Sequence, residues 1–351
     1  MRISATLPSA HAYIYPLAPG FLGPRPLPRH QGMTDMIKAR RITVFGGTGF
    51  IGRHVVRRLA QRGDRITVVA RHDARFLQPM GDVGEIVLLL GNLREAALVQ
   101  KAVAGADAVV NLVGILAETG RQRFDAIQHQ GAARIAEAAV AAGVARLIQL
   151  SAIGADPESP SKYACSKGLG EQSVLAACPA ATILRPSIVF GPEDQFFNRF
   201  AEMACTLHAL PLIGGGATRY QPVYVGDVAD AVLAALDRPE AAGRTYELGG
   251  PEILSFRQLM EILLQEIRRP QVPLLALPFG IASLMALFAE HAPGAPLTRD
   301  QVILLKRDNV VAGDAASLHE LGIQPVALGA VLPSYLGRYR RGGLFAAQSP
   351  A

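Results

Sequence analysis

Cysteine is scarce in this chain of 351 residues, and the little present excludes a disulfide framework. Cys165, Cys178 and Cys205 are odd in number and form no C-x-x-C pair, so they read as free, mostly buried thiols of a reducing compartment. The eight histidines show no H-x-x-x-H or other ligand spacing, and no metal site is expected. Charge is thin as well. Charged residues make up 18% of the chain against 50% hydrophobic ones, which excludes global disorder and permits one large domain with a smaller appendage. The net charge of +6 is almost all local, because residues 1–41 carry +5 of it. A near-neutral body without a basic stripe offers nucleic acid no footing, and no nucleic-acid partner is expected.

Acids are missing before Asp35, in a segment with six prolines between Pro8 and Pro28. Those prolines interrupt both the apolar core of a secretory signal and the amphipathic helix of a transit peptide. Residues 1–40 are expected to be a disordered tail, with Met33 or Met36 as alternative starts. A cytoplasmic protein, peripheral on the inner membrane, follows from that reading. A transit peptide is the other reading, and it places the protein on the matrix side of the mitochondrion. Residues 341–351 read as a second tail. One run, Val272–Ala289, lacks charge over 18 residues. Pro273, Pro278 and Gly280 leave about 11 residues of continuous helix, short of the ~20 that span a bilayer. It reads as a helix packed on the protein, or as a peripheral contact with a membrane or partner over 272–289.

From Arg41 onward the chain alternates. Ile42–Phe45, Arg65–Ala70, Ile86–Leu90, Ala108–Leu112, Arg146–Leu150, Ala181–Leu184 and Thr245–Leu248 are strand-length apolar runs. Helical spacing covers Phe50–Arg62, Arg121–Ala142, Asp194–Leu207, Val228–Leu236 and Ser255–Ile267, the last with Ser255 as N-cap. Strands apolar on both faces and separated by helices predict an α/β fold, a Rossmann-type doubly wound parallel sheet. The expected division is an NAD(P)-binding domain over 41–190 and a small C-terminal α/β lobe over 191–340, interleaved with the sheet.

Between the first strand and helix lies Gly46-Gly47-Thr48-Gly49-Phe50-Ile51-Gly52. Its first glycine permits a tight turn, its second lets a pyrophosphate approach the backbone, and its third lets helix and strand pack closely. The second strand ends on Arg71 where an NAD site carries an acid, so NADP(H) is expected over NAD(H), with Arg75 nearby. Asn92 and Asn111 end the third and fourth strands, within reach of adenine and the adenosine ribose. Ser151 ends the fifth strand, and Tyr163 and Lys167 share a helix face at i and i+4. A lysine so placed lowers the phenol's pKa and binds the nicotinamide ribose. The phenol then serves as general acid or base, and a serine hydroxyl polarises a carbonyl.

These motifs join Leu184-Arg185-Pro186-Ser187-Ile188-Val189-Phe190-Gly191-Pro192, Gln221–Ala229, Pro296–Gln301 and Leu305–Asn309. Together they resemble the atypical short-chain dehydrogenase/reductase superfamily. Within it they are most similar to the accessory subunits of respiratory complex I (NADH:ubiquinone oxidoreductase) of the ninth alpha-subcomplex type and their bacterial relatives. The resemblance covers about Arg41 to Leu336. It implies tightly held NADPH, with Gly46, Gly49, Gly52 and Arg71 at the cofactor, Tyr163 and Lys167 at its nicotinamide end, and Pro186 and Ser187 beside them. It also implies a partner in a respiratory-chain complex or among quinone-related membrane proteins. The alternative is a soluble NADP-dependent reductase or epimerase with Tyr163 as general acid/base. Ser151 precedes Tyr163 by 12 positions, shorter than in extended members, so Ser161 rivals it for the hydroxyl role.

Overall fold

The computed structural model describes residues 39–207, 209–289 and 297–343. The readings for the two tails fall outside the described residues, apart from 39–40 and 341–343. The first half of the chain builds β1 (Arg41–Phe45), α1 (Phe50–Gln61), β2 (Arg65–Ala70), β3 (Ile86–Leu90), α2 (Ala96–Val103) and β4 (Ala108–Asn111). It continues with α3 (Gln130–Ala141), β5 (Arg146–Leu150), α4 (Lys162–Ala177) and β6 (Thr182–Pro186). The second half is shorter in its pieces: β7 (Val189–Phe190), α5 (Phe197–Thr206), β8 (Leu210–Ile213), β9 (Arg219–Tyr220) and β10 (Val223–Tyr224). Then come α6 (Val225–Asp237), β11 (Thr245–Leu248), β12 (Leu254–Ser255), α7 (Phe256–Glu266), β13 (Leu274–Leu277), α8 (Phe279–Ala289), α9 (Arg299–Leu304) and α10 (Leu328–Leu336).

Seven strands form one sheet in the order β3-β2-β1-β4-β5-β6-β11, every pair parallel. Parallel strands are covered on both faces, and the two cores show it. Val55, Val56 and Leu59 of α1 and Val228 and Val232 of α6 pack on one face, with Val44, Val68 and Val110. Val99 and Val103 of α2, Ile135 of α3 and Val174 of α4 pack on the other, with Phe45, Val109 and Leu147. Each such fully buried aliphatic contributes roughly 1.5–3 kcal/mol, so the sheet and its helices form a stiff frame. The strand order reverses between β1 and β4, and that switch point opens a crevice at the strands' carboxyl ends. A third core, with Phe190, Phe197, Leu259, Leu263, Leu332 and Leu336, underlies the C-terminal segments.

The helix expected over Arg121–Ala142 begins later. Gly120 turns at φ +55, Thr119 and Gln122 bond each other's backbone, and a π-helical turn over Asp125–His129 precedes α3. The alanine-rich pattern does not register that turn. In the charge-free run, α8 spans the eleven residues after Pro278. Its Ala282 and Ala286 pack with Ile213 and with Val302 of α9. Ile281, Leu284 and Met285 point outward, each more than half exposed, as does Leu275 of β13. No described helix is long and apolar enough to cross a membrane.

Candidate functional site

The glycine turn takes its shape from close contacts. Gly46 has φ +80, and a β-carbon there would sit 3.0 Å from Leu112 C and Val113 N, where the loop after β4 passes over it. A β-carbon on Gly52 would lie 2.1 Å from Gly46 O, so only glycine lets α1 approach β1 this closely. Gly49 is the N-cap and supplies no side-chain cap, and the first turn carries no acid. The leading N–H groups of α1, with the helix's partial positive charge, therefore face the switch point unneutralised, and Thr48, Phe50 and Ile51 are half-buried around them. That is an anion cradle at the edge where a diphosphate binds in such sheets.

Arg71 stands exposed at the carboxyl end of β2 and has no hydrogen-bond or ion-pair partner among the described residues. Arg75 is not equivalent. Its guanidinium lies 2.6 Å from the Asp73 carboxylate, and those bonds hold the Asp73 carboxyl below its usual range. Arg71 is thus the guanidinium open to a phosphate. Asn92 caps its own turn, its Oδ1 accepting from Arg94 N at 3.1 Å. Asn111 is buried and its amide is used internally: Nδ2 donates to Gln149 Oε1 at 2.8 Å and Oδ1 accepts from Val113 N at 3.1 Å. Its role is to fix the loop that covers Gly46.

At the other end of the crevice, Lys167 is buried on α4, donating to Leu150 O at 3.3 Å. A β-carbon on Gly114, in the loop after β4, would lie 3.3 Å from Lys167 Nζ and 3.5 Å from Gln128 Oε1. Gln128 sits in the π-helical turn, donates through Nε2 to Ser166 Oγ at 3.1 Å, and leaves Oε1 buried without a partner. Ser151 Oγ is likewise buried without a partner among the described residues. Orphaned buried oxygens cost free energy and mark a place where a polar ligand completes the bonding. Burial pulls the Lys167 ammonium down to about 8, against the pull of Glu171. Tyr163, half-buried against Phe124 edge-on at 5.8 Å, lacks the lowered phenol pKa expected beside a lysine. Burial pushes it up to about 12, because desolvation disfavours the phenolate, so it is a proton donor at neutral pH.

Ser161 is the N-cap of α4, accepting from Ala164 N at 3.3 Å and donating to Asp300 Oδ2 at 3.0 Å, so its hydroxyl is committed. Pro186 ends β6 and Ser187 follows it, with Ser187 Oγ donating to Asn309 Oδ1 at 2.7 Å. Asn309 in turn donates to Ile153 O at 3.3 Å, tying the loops after β5 and β6 together. Gln128, Asp300 and Asn309 carry these links, and none was singled out for such a role from the sequence. A π-turn and pairings across more than a hundred residues leave no local pattern. A cleft of about 690 Å3 opens between Arg41, Arg65 and Gly105 at the amino ends of the strands. The chemistry-bearing residues lie at the opposite edge, which is where the site is placed.

Residues 42–249 match the model of a family described as the NAD dependent epimerase/dehydratase family. The mitochondrial NADH dehydrogenase (ubiquinone) 1 alpha subcomplex subunit 9 of Arabidopsis thaliana is 38% identical over 316 residues, covering 86% of this chain and 78% of that protein. The protein of that name from Mus musculus is 34% identical over 319 residues, covering 90% and 84%. Among solved structures, a dTDP-glucose 4,6-dehydratase from Streptomyces venezuelae with NAD bound shares the fold. It is 23% identical with a TM-score of 0.65, covering 86% of this chain and 97% of that one.

Proposed function

This chain belongs to the NAD dependent epimerase/dehydratase family and binds a nicotinamide dinucleotide, and on that premise we propose that it holds NADP(H) as an accessory protein of the respiratory chain. The observation that carries the reading is the crevice edge. The uncapped start of α1 takes the diphosphate, the open guanidinium of Arg71 takes a ribose 2′-phosphate, and Lys167 takes the nicotinamide ribose. Residues 41–190 supply the cofactor domain and 191–340 the lobe. The similarity to complex I subunits over most of their length supports the setting. The outward face of α8 supports peripheral seating at the inner membrane, beside a respiratory complex or quinone-handling proteins. Its side of the membrane is the cytoplasmic one in a bacterium and the matrix one in a mitochondrion.

A second reading is a soluble reductase with Tyr163 as general acid and Ser151 polarising a carbonyl. The unpartnered Ser151 hydroxyl supports it. Purification from native membranes at low salt separates the two. The accessory reading expects NADPH released on denaturation and co-purifying complex I subunits. A protein that never sediments with membranes or those subunits sinks it. The reductase reading fails if Tyr163→Phe keeps NADPH and alters no measurable carbonyl reduction.

A further inference from the structure

The helix that carries Tyr163 and Lys167 is gripped at its start by a residue 139 positions away. The first N–H groups of a helix have no partner within it. In α4, Lys162 N donates to Asp300 Oδ1 at 2.6 Å, Tyr163 N donates to Asp300 Oδ2 at 3.2 Å, and Ser161 Oγ donates to the same Oδ2 at 3.0 Å. Asp300 is on α9, whose own start is closed by the Thr298–Gln301 capping box, so its carboxylate is free to serve α4. The middle of α4 is held otherwise. β-carbons on Gly168 and Gly170 would lie 2.3 Å from Pro157 N and from Gln128 O. What Asp300 adds is the seat of the first turn, where Tyr163 stands, and the anion complements the helix dipole there.

We propose that Asp300 is the positioning residue for the nicotinamide end of the site, a role that rests on the dinucleotide reading above. By this role the C-terminal lobe sets how the nicotinamide half is held, while the adenosine half is held at the glycine turn and Arg71, away from Asp300.

The test compares NADPH with adenosine 2′,5′-bisphosphate, which carries only the adenosine half. Asp300→Asn keeps the size and removes the charge. Its NADPH Kd should rise on the order of tenfold, with the emission of bound NADPH shifted toward that of the free nucleotide. Its Kd for the bisphosphate should stay within about twofold of wild type. If Asp300→Asn fails to fold, by circular dichroism, Ser161→Ala removes one of the three bonds to Asp300, with the cap on Ala164 N, and carries the same comparison with a smaller rise in the NADPH Kd. Equal losses for both nucleotides, or none for either, overturn the role. A wild-type protein that binds neither removes the dinucleotide reading and this role together. One that binds both, with NADPH affinity unchanged in the variant, removes this role alone.

Discussion

Replacing Lys167 with methionine is expected to stabilise the nucleotide-free protein at pH 7 while weakening its hold on NADPH. Lys167 is 5% exposed, and its ammonium donates to one carbonyl, Leu150 O at 3.3 Å. Glu171, one turn on, is already committed to Arg185 at 2.9 Å. Burial takes the ammonium from 10.5 to about 8. At ~1.4 kcal/mol per pH unit the folded state is therefore about 3 kcal/mol less stable at pH 7 than with an unshifted lysine. Folding lowers this pKa, so the deficit is full below about 8 and is relieved as pH climbs toward 10.5. Methionine forfeits the bond to Leu150 O, worth roughly 0.5–1.5 kcal/mol. That carbonyl stays satisfied, because Gln149 Nε2 also donates to it at 3.0 Å. The net gain is about 2 kcal/mol, or several degrees in Tm for a chain of this size. Thermal melts without nucleotide at pH 7 and pH 9.5 are the assay. The variant's advantage should narrow by about 2 kcal/mol at the higher pH, since the lysine is then mostly neutral in the folded state. A less stable variant at pH 7, or an advantage indifferent to pH, refutes the reasoning.

Other substitutions probe the remaining parts. Arg71→Asp trades an open guanidinium for a carboxylate, and the preference for NADPH over NADH should fall roughly 10- to 100-fold, from ~1.5–3 kcal/mol of charge-assisted bonding. An unchanged ratio of Kd values leaves Arg71 without a role. Gly52→Ala sets a methyl 2.1 Å from Gly46 O, so α1 must withdraw, with a loss of more than ~2 kcal/mol and of saturable NADPH binding. Wild-type Tm and Kd in that variant contradict the packing account. Leu284→Glu with Met285→Glu puts charge on the outward face of α8 and should abolish co-sedimentation with anionic vesicles while sparing NADPH affinity. Undiminished sedimentation moves the contact elsewhere.

The sheet was legible in the sequence because burial on both faces writes each strand as an apolar run. β1, β2, β3 and β5 lie within a residue of those runs, and β11 coincides with Thr245–Leu248. The glycine turn was legible because sterics leave no alternative at Gly46 and Gly52. α8 was legible because proline is excluded from a helix interior, so the continuous helix had to follow Pro278. The strands β7, β9, β10 and β12 have two residues each, too few for any period to show. Side-chain commitments were hidden for a different reason. Ser161 and Ser151 look alike in sequence, and only the arrival of Asp300 from α9 distinguishes the bonded hydroxyl from the free one. That Arg75, near Arg71 in sequence, is held by Asp73 likewise shows only in the packed chain. Desolvation, which sets both Tyr163 and Lys167, depends on the whole packed crevice and has no local signature.

On the proposed function, the crevice at the carboxyl ends of β1, β4 and β5 holds one NADPH. Titrating NADPH and NADH into the purified chain, followed by nicotinamide fluorescence, tests it most directly. One saturable NADPH site per chain is expected, at least about tenfold tighter than the NADH site. Non-saturable binding of both nucleotides, or NADH bound as tightly as NADPH, contradicts it.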